Sequence, residues 1–128
     1  MPEYVEYCRG RFPECRFELR NFLAEGIAGQ FDTVVISQTL NNRYEQSDNV
    51  RVMQAALRAA FASTRVSVSV DMLSSYVDFH APDLFYYSPE EIFSFAKTLT
   101  PRVVLRHDYR PFEFCVQLFH EAASGYVP

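Results

Sequence analysis

The chain has 128 residues, 48% of them apolar and 16% aromatic, with a formal charge of −4 and a pI near 5.3. This is enough apolar surface for one packed core and too much for a disordered chain, and the acidic balance without any basic run speaks against a general nucleic-acid binder. No apolar run reaches membrane-spanning length and the start, MPEYVEYCRG, lacks the apolar stretch of a signal peptide, so a cytoplasmic protein with no membrane partner is expected. Cys8, Cys15 and Cys115 form an odd set without a CxxC pair and read as free thiols in a reducing compartment.

Glu3–Phe12 reads as a short helix, with Tyr4, Cys8 and Phe12 spaced four apart on one face and Pro13 as its stop. Cys15, Phe17 and Leu19 then alternate with Arg16, Glu18 and Arg20, the period of a half-buried strand. Asn21–Gln30, carrying Gly26 and Gly29, is a connector with room for one helical turn. In the stretch FDTVVISQTL, Asp32 precedes four β-branched residues in a row, Thr33, Val34, Val35 and Ile36. Such a run predicts a strand buried on both faces, as in parallel sheets, and the polar Ser37–Asn42 that follow lie where an open α/β sheet holds a ligand.

Asn41–Ser47 is a polar loop, and Asp48 or Ser47 is the expected cap of the next helix. Val50, Met53, Leu57, Ala60 and Phe61 line one face of that helix, with Arg51 and Arg58 on the other side. Val66, Val68 and Val70 alternate with serines in a strand that ends at Asp71. Met72–Tyr87 has no period but is thick with aromatics, and a connection this long and apolar reads as a lid or a binding surface. Ser88-Pro89-Glu90-Glu91 starts a helix by local rules, with Ser88 as cap, Pro89 at the first position and Glu91 closing a capping box. Ile92, Phe95, Ala96 and Leu99 form its buried stripe, and Pro101 stops it. Arg102–Arg106 is a third strand, His107–Pro111 a turn, and Phe112, Phe114, Val116 and Leu118 mark a fourth strand that so short a link forces antiparallel to the third. Ala122–Pro128 reads as a frayed tail. The expected fold is therefore α/β, a mostly parallel sheet ending in an antiparallel hairpin.

The succession FDTVVISQTL, NVRVMQAALRAAF, VSVSVD, SPEEIFSFA and RVVLRHDYRPFEFCVQLF resembles the C-terminal portion of a class I S-adenosylmethionine-dependent methyltransferase. The resemblance runs from about Tyr4 to Phe119, and the closing antiparallel hairpin is its most specific part. It implies an incomplete Rossmann-like methyltransferase sheet forming a single truncated domain over residues 1–128, with S-adenosylmethionine as cofactor and a small molecule as substrate. The family's opening glycine-rich turn has no counterpart here, because Gly10, Gly26, Gly29 and Gly125 stand too far apart to build one. Where the family often places an acid against the adenine, this chain has Arg20-Asn21-Phe22.

The resemblance places cofactor contacts at Asn21, Gln38 and Thr39. It places substrate contacts at Asn41 and Asn42. From the residues themselves, Asp71 is a candidate to orient a substrate or to serve as a cap or turn, and Tyr76, Phe79, His80, Phe85 and Tyr86 are candidates to line a substrate pocket or a protein interface. His107 and Asp108 are the best acid–base pair, since imidazole titrates near neutrality. For each a bland reading stands beside the functional one: polar loop chemistry, aromatic loop packing, and a hairpin turn for Asp108. His80, His107 and His120 lack metal-ligand spacing, so no metal is expected. In the family's sheet the missing strands would cover the edge of Phe31–Ile36, and Asn21–Gln30 is shorter than the dozen or more residues of a parallel crossover. A homodimer or a complementing chain over that edge is therefore expected rather than a lone monomer. The alternatives are a non-catalytic protein-interaction module and an inactive remnant of a methyltransferase.

Overall fold

A computed structural model describes residues 1–121. In chain order it contains α1 (Pro2–Arg11), α2 (Phe22–Glu25), β1 (Phe31–Ile36), α3 (Asn49–Ala62), β2 (Thr64–Leu73), α4 (Pro89–Leu99), β3 (Arg102–Arg110) and β4 (Glu113–Phe119). The four strands form one sheet in the order β1-β2-β4-β3. β1 pairs parallel with β2, while β4 runs antiparallel to both β2 and β3. Three strands thus point one way, and the last strand inserts between the second and third in the reverse sense. The fold is mixed α/β, as the element pattern predicts.

The two long helices begin where local chemistry says they should. The Asp48 carboxylate accepts from the backbone amides of Val50 and Arg51, satisfying donors that the first turn leaves free. The Ser88 hydroxyl accepts from the Glu91 amide and donates its own proton to the Glu90 carboxylate, so Ser88 caps the helix while the Glu91 side chain does not close the expected box. Met53, Ala56, Leu57 and Ala60 of α3, with Ile92 and Ala96 of α4, press onto one face of the sheet. There Val68, Val70, Met72, Phe114, Val116 and Leu118 are fully enclosed.

Four expectations need correction. Residues 15–19 form no strand: they have no ladder partner, and alternation alone does not make a strand without a neighbouring strand to pair with. β1 is not buried on both faces. Val34 and Ile36 face the helices, but Val35 is 67% exposed, because no second helical layer covers the opposite face among the described residues. β1 also pairs only with β2, so its outer edge has no strand neighbour among the described residues. The hairpin turn is not His107–Pro111: β3 continues through Arg110, an irregularity in register between Arg106 and Arg110 absorbs the extra residues, and Pro111-Phe112 make the turn. Finally, Asp71 does not end its strand, since β2 runs on to Leu73. The tail Ala122–Pro128 lies outside the described residues.

Candidate functional site

β1 and β2 end together at the same edge of the sheet, and β1's exit turn is tied to β2 by one carboxylate. Asp71 accepts from the Ser37 hydroxyl at 2.8 Å and from the Gln38 amide at 2.7 Å. Gln38 needs that anchor, because it holds a left-handed φ of 54° that residues with a Cβ adopt at some cost. Thr39 closes the turn by donating to the Ser37 carbonyl. Beside it a shallow groove of about 270 Å³ is lined by Phe22, Ile27, Val34, Val35, Ile36 and Thr39. Asn21 stands at the start of α2 with its backbone amide on Glu25, next to that groove. Of the three residues nominated for the cofactor, Thr39 lines this groove, Gln38 precedes it in β1's exit turn, and Asn21 is bonded within α2.

The residues nominated for substrate separate into two groups. Asn41 and Asn42 are fasteners: the Asn41 side chain accepts from the Leu73 amide, its carbonyl from the Phe85 amide, and the Asn42 carbonyl from the Asn49 side chain. Phe85 lies inward, 4.8 Å from the Tyr87 ring, with Arg43 above it. Tyr76, Phe79 and Tyr86, in contrast, surround a cleft of about 570 Å³. Leu73, Val77, Asp78, Leu84, Pro111 and Phe112 complete its walls. His80 stacks on the Tyr86 ring at 4.3 Å. The Tyr86 hydroxyl accepts from the Ala81 amide, which holds the loop's far side in place.

His107 and Asp108 are not brought together. The His107 Nε2 lies 2.7 Å from the Ser74 hydroxyl, its ring meets Tyr76 edge-on at 6.0 Å, and it stacks near Phe114. Asp108 pairs instead with the Arg106 guanidinium at 2.9 Å, which holds its carboxyl below the usual range. Consecutive strand residues face opposite ways, so the pair expected of a turn cannot form once both sit in β3. Ser74 is fully buried, and its hydroxyl also accepts from the Tyr76 amide, so this contact positions the loop's first turn.

Glu90 is the residue that sequence reasoning passed over. It reaches back from the first turn of α4 to take the Tyr76 hydroxyl proton in a hydrogen bond. The bond and the negative charge of Glu90 raise the Tyr76 pKa, and the same bond lowers that of Glu90. Its local signal, a carboxylate at a helix start, explained it fully without this contact. Asp78, Leu84 and Phe112 were likewise missed, since no spacing rule links them. No group of three His, Cys, Asp or Glu side chains that could hold a metal occurs among the described residues. No helix among them is long and apolar enough to cross a membrane.

No protein-family model matches the chain, and no curated protein does. Among solved structures, that of a DhpI–SAH complex superposes with a TM-score of 0.62 at 12% identity, covering 89% of this chain and 59% of that one. A chain of the Pnkp1/Rnl/Hen1 RNA repair complex superposes with a TM-score of 0.63 at 8% identity, covering 93% of this chain and 29% of that one. The chain therefore spans less than two thirds of either neighbour. At such identities the likeness is one of fold alone: a mixed, Rossmann-like α/β sheet with a reversed last strand.

Proposed function

We propose that this chain is the acceptor-side half of a methyltransferase-type domain. It serves transfer of a methyl group to a small molecule only when a dimer mate or a complementing polypeptide covers β1. The observation that carries the reading is the order β1-β2-β4-β3 with β4 reversed and the outer edge of β1 unpaired among the described residues. The residues present do not fit a complete donor site. Gly26 and Gly29 both take positive φ, but they lie in the connector before β1, and open space surrounds each. No two glycines are close enough to bring backbone amides around a sulfonium donor. No chemical step is assigned through the donor here. What this chain supplies is a groove lined by Phe22, Ile36 and Thr39, an aromatic cleft lined by Tyr76, Phe79 and Tyr86, and one sheet that carries both. Asp78 in the cleft wall and Glu90 behind the Tyr76 hydroxyl are the carboxylates nearest a guest there, with the His107 ring edge-on to Tyr76 at 6.0 Å.

Isothermal titration with S-adenosylmethionine tests the reading. The chain alone is expected to show no micromolar binding, and binding is expected to appear when a polypeptide carrying a glycine-rich strand–loop–helix is added. Micromolar binding by the chain alone overturns it.

A second reading, an interaction module without catalysis, draws on the open face. Phe31, Val35 and Val104 are exposed there, and α1 buries none of its residues while exposing Tyr4 and Tyr7. Light scattering across a dilution series, alone and with candidate complements, separates the two: a module binds partners lacking any glycine-rich segment.

A further inference from the structure

We propose that the aromatic cleft at the end of β2 binds a small organic cation, an ammonium or N-methylated ammonium carried on an apolar body. Its volume of about 570 Å³ falls within the span of small-molecule sites, roughly 300–1,000 Å³. Its rim is made of rings that a monomeric surface would ordinarily tuck away: Phe79 is 76% exposed, Tyr76 62% and Phe112 44%. Aromatic faces carry negative electrostatic potential and attract cations laid against them, most strongly where water is partly excluded. The floor of Leu73 and Leu84 provides the partly dry surface.

Charge chooses between a cation and a neutral or anionic guest. Asp78 is the one charged side chain among the lining residues, and no Lys, Arg or His joins it. The Tyr76 hydroxyl cannot offer its proton to a guest, because it already donates to Glu90. It turns lone pairs outward and carries a second carboxylate behind it. The Arg43 guanidinium is engaged over Phe85, which lines a separate cavity toward α3 and α4. An anion would meet two carboxylates and no donor side chain with a positive charge, whereas a cation would meet rings and carboxylates together.

As an assignment of the acceptor class this rests on the methyl-transfer reading above, yet it is measured without any methyl donor. The full chain is titrated with benzyltrimethylammonium, benzyl alcohol and benzoate, following the aromatic ring signals by NMR. Benzyltrimethylammonium is expected to bind about ten-fold more tightly than benzyl alcohol, and benzoate not at all. Asp78→Asn is expected to lower the cation's affinity about five-fold while leaving benzyl alcohol unchanged. Phe79→Leu, on a largely exposed side chain, is expected to weaken the cation more than the alcohol. Far-ultraviolet circular dichroism confirms that each variant keeps the wild-type fold. Equal affinity for cation and alcohol, an unchanged Asp78→Asn variant, or no binding by any of the three probes overturns the proposal. Cation binding by a chain that never acquires S-adenosylmethionine affinity refutes the proposed function and leaves this inference standing.

Discussion

The two faces of the sheet differ in both sequence and surroundings. On one, Val68, Val70, Met72, Val116 and Leu118 are closed off by α3 and α4; on the other, Thr33, Ser67, Ser69, Asp71 and Gln117 stand in register with the exposed Val35 and Val104. Alternation along each strand already separates an apolar face from a more polar one, and no second helical layer covers the latter among the described residues. The comparison teaches that the apolar residues of this sheet stabilise the fold where a helix of the same chain reaches them.

The sharpest way to break the comparison is truncation on the closed face. Leu57→Ala, at a fully buried position of α3, is expected to cost about 2–5 kcal/mol in chemical denaturation, transfer and cavity contributions together. A cost below about 1 kcal/mol would mean that this face is as loosely packed as the other.

Next comes the buried hydroxyl at the closed face's rim. Tyr87 donates to the Leu40 carbonyl at 2.8 Å, and both residues are buried. Tyr87→Phe leaves that carbonyl unpaired and is expected to cost about 1–3 kcal/mol. Burial also pushes the Tyr87 hydroxyl from the ordinary 10.0 up to about 12. A raised folded value means that its contribution is fully present below pH 10 and is lost as pH rises toward about 12. The loss amounts to about 3 kcal/mol at most, at 1.36 kcal/mol per pH unit. Denaturation curves recorded from pH 8 to 12 should therefore fall less steeply in the variant. Tyr109, whose hydroxyl burial also raises, leaves a residual decline.

A smaller effect is expected from Asp48→Ala, which removes the cap of α3 and costs about 1 kcal/mol. Glu90 gives a weaker signal still. Its folded pKa is depressed by the bond from Tyr76, so its contribution is present above the ordinary 4.5 and is lost as pH falls below that value. Tyr76→Phe should flatten the acid limb of the stability profile slightly. Least of all, Val35→Ala on the open face should change the stability of the lone chain by no more than about 0.5 kcal/mol. A much larger cost, measured in the presence of a complement that covers β1, would locate that complement on this face.

The parts of the fold legible in the sequence are those governed by neighbours along the chain. Asp48 and Ser88 announce α3 and α4 because a cap and its orphan amides lie within three residues of each other. The reversed last strand was legible because a short link leaves no other geometry. β1 was half legible: its β-branched run states that it is a strand, but whether both of its sides are covered depends on residues far away. Cys15–Leu19 has the alternation of a strand and lacks a mate, and no local pattern reports a missing mate. Tyr76, Phe79 and Tyr86, which line one cleft, were legible as a group because aromatic density in an aperiodic loop is unusual. Glu90 was hidden because a helix start already accounts for a glutamate, and its bond to Tyr76 spans fourteen positions.

The insertion of β4 between β2 and β3 governs how the polypeptide reaches this state. As the chain emerges during synthesis, β2 and β3 are both complete before their shared neighbour exists, and each must wait with an unsatisfied backbone ladder. Only when Glu113–Phe119 has cleared the ribosome can the two halves of the sheet be stitched into one. A stop codon at Glu113 would therefore remove the seam rather than trim an end, and leave two unjoined pieces of sheet that are prone to aggregate.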